Sequence, residues 1–457
     1  MSVHRVAGTV QRIAAPSHAL HFTPLEKNMS SKLWAALAVA LSIPMLQACG
    51  DSEDARVRLV NATTDYAELN LYESTNKLVD SVVSNTVSGY AGLGAGTYTL
   101  NVRSPSSSTN AGSFSQTVAK KDHYAVVAYV NAGSFATAVL TEEEDTPDSG
   151  YAKLRVLNAA AAQAAGVDVY LTSNSCSALT SSDVAVSSDV TGLESAFHTV
   201  VISSGSSTWN ICVTGTGDKT DLRLSIPSVT MTNKQISTLI LTKSTGGYLM
   251  NGLLLKQQGD LTAYDNTSAR LRLVSDAASS GTVSATLGST TLGSAVTSPT
   301  VGSYKLVTAG ALTLNTSIGG SSLADTALTL TAGADYTLLV AGTVASPTIN
   351  LITDDNAPST STTDPVKIRL VNGVNGLSTG LSLTADGADV ADAIAFGDSS
   401  TPVNVAVSSS SGSNLTATAG SLSWALTNQT LSSGNVYTVF MLGDSSSTIT
   451  PRLNIDN

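Results

Sequence analysis

A seven-residue pattern recurs four times in this chain at spacings near one hundred residues, and that spacing restricts the fold to a series of small repeated domains. The pattern is a small or branched residue, a basic residue, an aliphatic, Arg, two aliphatics, then Asn or Ser. It reads Ala55-Arg56-Val57-Arg58-Leu59-Val60-Asn61, Ala152-Lys153-Leu154-Arg155-Val156-Leu157-Asn158, Ala269-Arg270-Leu271-Arg272-Leu273-Val274-Ser275 and Val366-Lys367-Ile368-Arg369-Leu370-Val371-Asn372. The spacings are 97, 117 and 97 residues. Solenoid repeats run to roughly 20–50 residues, so a period this long points to tandem domains, each the size of a small β-sandwich.

Two weaker markers recur with it. A turn residue, two spacers, Tyr, a small residue and aliphatics appear as Lys121-Asp122-His123-Tyr124-Ala125-Val126-Val127, Gly333-Ala334-Asp335-Tyr336-Thr337-Leu338-Leu339 and Gly434-Asn435-Val436-Tyr437-Thr438-Val439-Phe440. In the second unit Ile236 is expected in the tyrosine's place. The tyrosine follows the motif arginine by 66, 64 and 68 residues in units one, three and four, which predicts a shared topology. Gly94-Ala95-Gly96-Thr97-Tyr98-Thr99-Leu100 is a glycine turn entering a strand, echoed by Gly205 to Ile211 and by Gly310 to Leu314. Thr and Val favour strands and Ser and Gly favour turns, so all four units read as all-β. Each unit resembles the domain of unknown function numbered 4397 (DUF4397), an immunoglobulin-like module of bacterial secreted proteins and lipoproteins. The resemblance rests on the Ala55-to-Asn61 strand, the Ala95-Gly96-Thr97-Tyr98 turn and the Tyr124 strand, which fall in the family's order. Members often carry His after the first strand, where this chain has Asn61, Asn158, Ser275 and Asn372. The family implies an immunoglobulin-like fold and no established activity.

The amino-terminal region carries an address. Met29-Ser30-Ser31-Lys32 is a short charged start, and Leu33 to Met45 is an apolar run of 13 residues, within the range of a secretory signal and too short to span a bilayer. It ends in Leu46-Gln47-Ala48-Cys49, which resembles the lipobox of bacterial lipoproteins. The resemblance implies cleavage before Cys49 and lipidation of its thiol and new amino group. An ordinary cleavable signal is the alternative. Residues 1–28 read as translation from an upstream start, and 29–48 as the signal. Gly50 points towards an outer membrane, although Asp51 weakens that sorting. The expected location is therefore the cell envelope, lipid-anchored, periplasmic or surface-exposed.

Residues 49–457 carry 19 basic and 33 acidic side chains, a net charge of −14. An acidic chain without clustered Lys and Arg argues against a nucleic-acid partner. The expected domains are four tandem immunoglobulin-like antiparallel β-sandwiches at 55–140, 151–255, 268–353 and 366–457. A transmembrane barrel is the competing all-β fold, but aromatic girdles are missing and the period is foreign to it. The segments between the units, Thr141 to Gly150, Lys256 to Thr267 and Thr353 to Pro365, are rich in acids, Pro and small polar residues. They read as exposed spacers, with calcium at their carboxylates a lesser alternative. Cys176 and Cys212, 36 residues apart, are expected to form a disulfide, as export allows. Two free thiols or metal ligation are the alternatives.

Chemistry is nearly silent in this sequence. His123 and His198, the two histidines after Cys49, lie in different units, and there is no Gly-x-Ser-x-Gly elbow, HExxH helix or phosphate-binding glycine loop. No catalytic residue, metal ligand or cofactor is expected. The motif arginines Arg58, Arg155, Arg272 and Arg369 read as strand-face cations paired to a carboxylate or carbonyl, and a ligand-binding set is the alternative. Tyr124, Tyr336 and Tyr437 read as core residues whose hydroxyls are tied to backbone. The expected function is a non-enzymatic structural or interaction module held at a membrane by lipid on Cys49. A ligand-binding or adhesive lipoprotein recognising glycan or protein is the alternative, with a hydrolase behind it. Its partners would be an envelope or extracellular protein or a glycan. Tyr- and Trp-bearing loops would mark the adhesive reading, and Trp209 and Trp424 are the tryptophans that remain after Cys49.

Overall fold

The computed structural model describes residues 54–457 except 132, 161–165, 195, 407–411 and 446–448, so the signal, the lipobox and Cys49 lie outside the described residues. Glu53–Asn457 forms one compact unit. It contains four sandwiches, and the motif strand of each lies inside a sheet.

In the first sandwich Ala55–Asn61 runs parallel to the tyrosine strand His123–Asn131, which pairs antiparallel with Ser134–Thr141. Thr86–Val87 and Ala91–Leu93 cover the motif strand's other edge. The facing sheet is an antiparallel set of Asn76–Val83, Glu68–Glu73, Gly96–Arg103 and Gly112–Val118. The same parallel pair recurs as Tyr151–Asn158 with Ile236–Lys243, Ser268–Ala277 with Asp335–Gly342, and Val366–Asn375 with Val436–Asp444. Each sandwich is thus antiparallel except for one central parallel pair, joined by the whole facing sheet as its crossover.

That pairing accounts for the composition of these strands. A strand of a sheet covered on both faces reads as a nearly unbroken apolar run, as in Ala125-Val126-Val127-Ala128 and Val439-Phe440-Met441-Leu442. On the inner face, Val57, Leu59, Tyr124 and Val126 pack in the first sandwich's own core. On the outer face, Val60, Ala125, Val127 and Leu140 pack against Leu157, Ile240, Leu253 and Leu255 of the second sandwich. Val274, Leu339 and Ala341 of the third sandwich meet Val371, Phe440 and Leu442 of the fourth in the same way. The sandwiches are therefore joined in pairs, first to second and third to fourth, through buried apolar surface.

The segments between sandwiches are largely exposed or half-exposed, as their composition suggests, but a few of their polar residues turn inward. Glu142 is 2% exposed, Asp354 2% and Asn356 0%. Asn266 donates to the carbonyls of Arg223 and Met250 and caps the amide of Ser268. Asn356 donates its backbone amide to Gly246 O in the second sandwich and its side-chain amide to Tyr304 and Asp335. Composition misleads at these residues because their carboxylates and amides turn inward to partners that only the folded arrangement supplies.

The second sandwich departs from the others. Its facing sheet has three strands, Val167–Thr172, Ser206–Gly215 and Asp218–Thr232. Where the other three run a hairpin partner beside the corresponding strand, this one has irregular chain with a short 3-10 turn, Cys176–Ala178. A disulfide from Cys176 to Cys212 fastens that chain to the middle strand. Tyr170, Leu179, Ala185 and Leu222 pack around it.

Candidate functional site

The densest collection of buried polar groups lies where the third and fourth sandwiches meet, and it is built from the motif arginines. Parallel register sets Arg272 opposite Thr337 and Arg369 opposite Thr438. Each arginine donates from Nε to that threonine's hydroxyl, at 2.8 and 2.7 Å. Arg369 then reaches Asp354 at 2.8 Å and Asp456 at 3.1 Å, while Arg272 pairs with Asp456 and lies 3.8 Å from Asp354. The threonine hydroxyls donate onward to the same carboxylates. Arg270 forks onto Asp335 at 2.9 and 2.6 Å, and Asn356 donates to Asp335 at 2.8 Å. Three guanidinium groups thus face three carboxylates, and burial of each charge is offset by pairing.

Aromatic rings extend this cluster into a stack. Arg223 lies 4.6 Å from the Tyr248 ring centroid, Arg270 lies 3.5 Å from Tyr248 and 4.4 Å from Tyr304, and Arg272 lies 4.5 Å from Tyr304 and 4.8 Å from Phe440. The ladder links residues of the second, third and fourth sandwiches by cation–π contacts. The Tyr304 hydroxyl donates to Asp354 at 2.6 Å, and burial first, then the neighbouring carboxylates, holds its pKa well above the usual tyrosine value. A cleft of about 530 Å³ opens beside Tyr248, Arg270 and Tyr304. Guanidinium groups already occupy these ring faces, so they are committed to the fold.

The joint between the first and second sandwiches repeats the plan with fewer charges. Arg58 donates to both Glu142 oxygens, and also to Gly259 O at 2.6 Å and Lys256 O at 3.0 Å. Tyr90 stacks on Arg58 at 4.9 Å and donates to Glu142 at 2.5 Å; burial and that carboxylate raise its pKa. Arg155 donates to Thr238 Oγ1 at 3.0 Å and to Thr141 O at 3.1 Å, and burial lowers its pKa. All four motif arginines therefore act inside the joints. Tyr90, Tyr304, Glu142 and Asp354 were not singled out from the sequence. Tyr90 and Tyr304 nonetheless stand 32 residues beyond Arg58 and Arg272 respectively, a spacing that repeats as the motifs do.

The other repeated positions also have structural partners. The hydroxyls of Tyr124, Tyr336 and Tyr437 accept the amides of Ala119, Thr331 and Ser432, each five residues earlier. In the second sandwich the register places Ser237, not Ile236, opposite Leu154 and hence at the tyrosine's position. The corresponding amide, Thr232 N, donates instead to Gln235 Oε1, and Gln235 Nε2 donates to Ser237 Oγ. Ile236 falls one residue short because a strand shifted by one residue turns its side chain to the other face. The motif's last residue staples the two sheets: Asn61, Asn158 and Asn372 donate to Val82 O, Val190 O and Ile394 O, and Ser275 Oγ donates to Val296 O.

The two histidines stay apart. His123 Nδ1 lies 2.7 Å from Glu143 and His198 Nε2 lies 2.6 Å from Glu194. Among the described residues neither hydrogen-bonds a serine, threonine or cysteine, which a nucleophile activated by histidine would require. Among the described residues, too, no three His, Cys, Asp or Glu side chains are grouped to hold a metal ion, and no helix is long and apolar enough to cross a membrane. Trp209 packs on the core of the second sandwich and Trp424 on that of the fourth, both from strands rather than loops.

The model of the family described as "Domain of unknown function (DUF4397)" matches residues 55–170 and 269–377. Each match begins at the motif strand of an odd-numbered sandwich and runs past the motif strand of the next. No curated protein matches the chain. Among solved structures, a family 26 carbohydrate-binding module from Eubacterium rectale in complex with maltoheptaose is similar at 10% identity and a TM-score of 0.15, over 46% of this chain and 96% of that one. A candidate cell adhesion protein from Bacteroides uniformis is similar at 11% identity and 0.20, over 46% and 99%. A multi-modular glycogen-degrading pneumococcal virulence factor gives 7% and 0.17, over 60% and 37%. Scores this low carry no argument about function.

Proposed function

Starting from a chain that carries tandem domains of the DUF4397 family, we propose that it is a non-enzymatic lipoprotein of the bacterial cell envelope, held by lipid on Cys49 and acting as a structural or interaction module. The observation that carries this reading is the fate of the repeated polar residues. The motif arginines, for which a ligand-binding set was the alternative reading, are engaged in the joints between sandwiches, and the repeated tyrosines and asparagines in the staples within them. A buried ion-pair cluster with its guanidinium forks engaged leaves little for substrate, whereas it fixes the relative placement of the domains it joins. Such a body suits a role in which one surface is held at a set position relative to a membrane. A binding or adhesive role, with glycan or protein as partner, fits the same architecture.

The address rests on Leu46-Gln47-Ala48-Cys49 and the apolar run before it, with the outer membrane as the preferred destination. The test expresses wild type and Cys49→Ala in a bacterial host, separates membranes from released protein, and captures neighbours by crosslinking in intact cells. Wild type should partition with membranes and Cys49→Ala should be released. Membrane retention of the variant would remove the lipid anchor, and the absence of any reproducible neighbour in wild type would remove the interaction role.

A further inference from the structure

Asp276 is a carboxylate buried at the joint between the third and fourth sandwiches, 4% exposed, one residue beyond the motif serine. Its Oδ2 accepts the amide of Gly443 at 3.2 Å. A Cβ added to Gly373 would come within 2.6 Å of the same oxygen. Groups of the fourth sandwich therefore cover it, and they leave no room for a side chain at position 373. Of the strands around Asp276, Val436–Asp444 contributes one charged neighbour, Asp444, of the same sign. Val366–Asn375 offers Gly373, and Asp335–Gly342 offers Ala341, its partner in the parallel register. Among the described residues no arginine or lysine pairs with it. The corresponding residues of the other joint, one beyond Asn61 and Asn158, are Ala62 and Ala159, both in its apolar cluster.

We propose that the third–fourth joint is a pH-responsive hinge, closed while Asp276 is protonated and loosened when it ionises, whereas the first–second joint stays closed throughout. The physical cause is desolvation. A carboxylate beneath Gly443 and Gly373 accepts one backbone donor and no cation, so its charged form is disfavoured until the joint opens and admits water. Burial first, offset by the Gly443 amide and reinforced by Asp444, lifts its pKa from the ordinary carboxylate value to about 7. Because the closed-state pKa is raised, the closed joint holds its full stability below the open-state value near 3.8. That stability is lost as pH rises towards 7, and the loss is complete above it.

Hydrogen exchange of the full chain across pH 5 to 8, corrected for intrinsic rates, tests the hinge at the amides of Phe440 to Gly443, with Val127 and Ile240 as internal controls. The opening equilibrium at the third–fourth joint should rise by roughly a hundredfold over that range, as the two pKa values require, while the controls stay flat. Asp276→Asn keeps the side chain's size and removes its charge; it should abolish the pH dependence and hold protection across the whole range at or above the level wild type shows at pH 5. Equal pH profiles in wild type and Asp276→Asn would overturn the proposal. So would an Asp276 carboxyl titrating near 4 by carbon-13 NMR in wild type, a measurement that needs no variant to fold.

Discussion

At the first joint a single carboxylate, Glu142, serves Arg58, while Arg155 donates to a threonine hydroxyl and a backbone carbonyl. At the second, Asp354 and Asp456 are shared between Arg272 and Arg369, and a third pair, Arg270 with Asp335, stands beside them. Position for position, Asp456 replaces Gln257, since the amides of both donate to the opening residue of the adjacent tyrosine or isoleucine strand, Val436 O and Ile236 O. Yet the second joint also admits Asp276, where the first has Ala62. The two joints use the corresponding strands, each around a buried apolar cluster, and the difference teaches that pairing decides what a buried charge does. Paired carboxylates lock a joint, and an unpaired one makes it sensitive to pH.

Breaking the richer network should give the largest effect. Arg369→Ala strands Asp354 and Asp456 without one of their cations and should cost about 3–5 kcal/mol. Arg155→Ala leaves only a hydroxyl and a carbonyl behind and should cost about 1–3 kcal/mol. Denaturant unfolding read by hydrogen exchange within each pair separates the two, and equal costs would erase the contrast. Next, the disulfide belongs to the first pair alone. Cys176→Ser combined with Cys212→Ser frees the 36-residue span and should cost about 3–4 kcal/mol there, with the third and fourth sandwiches unaffected in the same measurement.

Exchanging the joints' characters is a sharper test. Ala62→Asp should place an unpaired carboxylate in the first joint and lower its stability by about 3 kcal/mol at pH 8, the effect fading as pH falls towards 4. Denaturation midpoints measured across that range would show it, and a pH-independent loss would mean that the new side chain acts through its size. The smallest effects belong to the tyrosine staples. Tyr336→Phe and Tyr437→Phe remove one hydrogen-bond acceptor each and should cost about 1 kcal/mol, as should loss of the substitute acceptor in Gln235→Ala. Thermal unfolding resolves differences of this size, and a silent Gln235→Ala would show that Ser237 and Thr232 need no such bridge.

Strands were legible because their periodicity and turn glycines are local properties, and the repeated Arg and Tyr were legible because each unit solves the same local problem. The tyrosine-to-backbone bond over five residues is of this kind. Glu142 and Asp354 fall in segments that read as spacers and nothing local marks Asp456, since an acid beside small polar residues looks solvated until an arginine from a distant strand is brought against it. Asp276 was invisible for the same reason: nothing local distinguishes a carboxylate that will be covered by another domain.

The sequence by itself determined the all-β class and the hundred-residue period, and pointed to the tyrosine staples of the first, third and fourth units and to a Cys176–Cys212 bond, because strand alternation, turn chemistry and a lone pair of cysteines are carried in short stretches of chain. Only the tertiary structure decided that the motif strand runs parallel to the tyrosine strand, that the sandwiches are joined in pairs, and which carboxylates are paired with arginine. Those outcomes depend on which outer faces meet, and burial turns charges that are interchangeable in water into partners that are not.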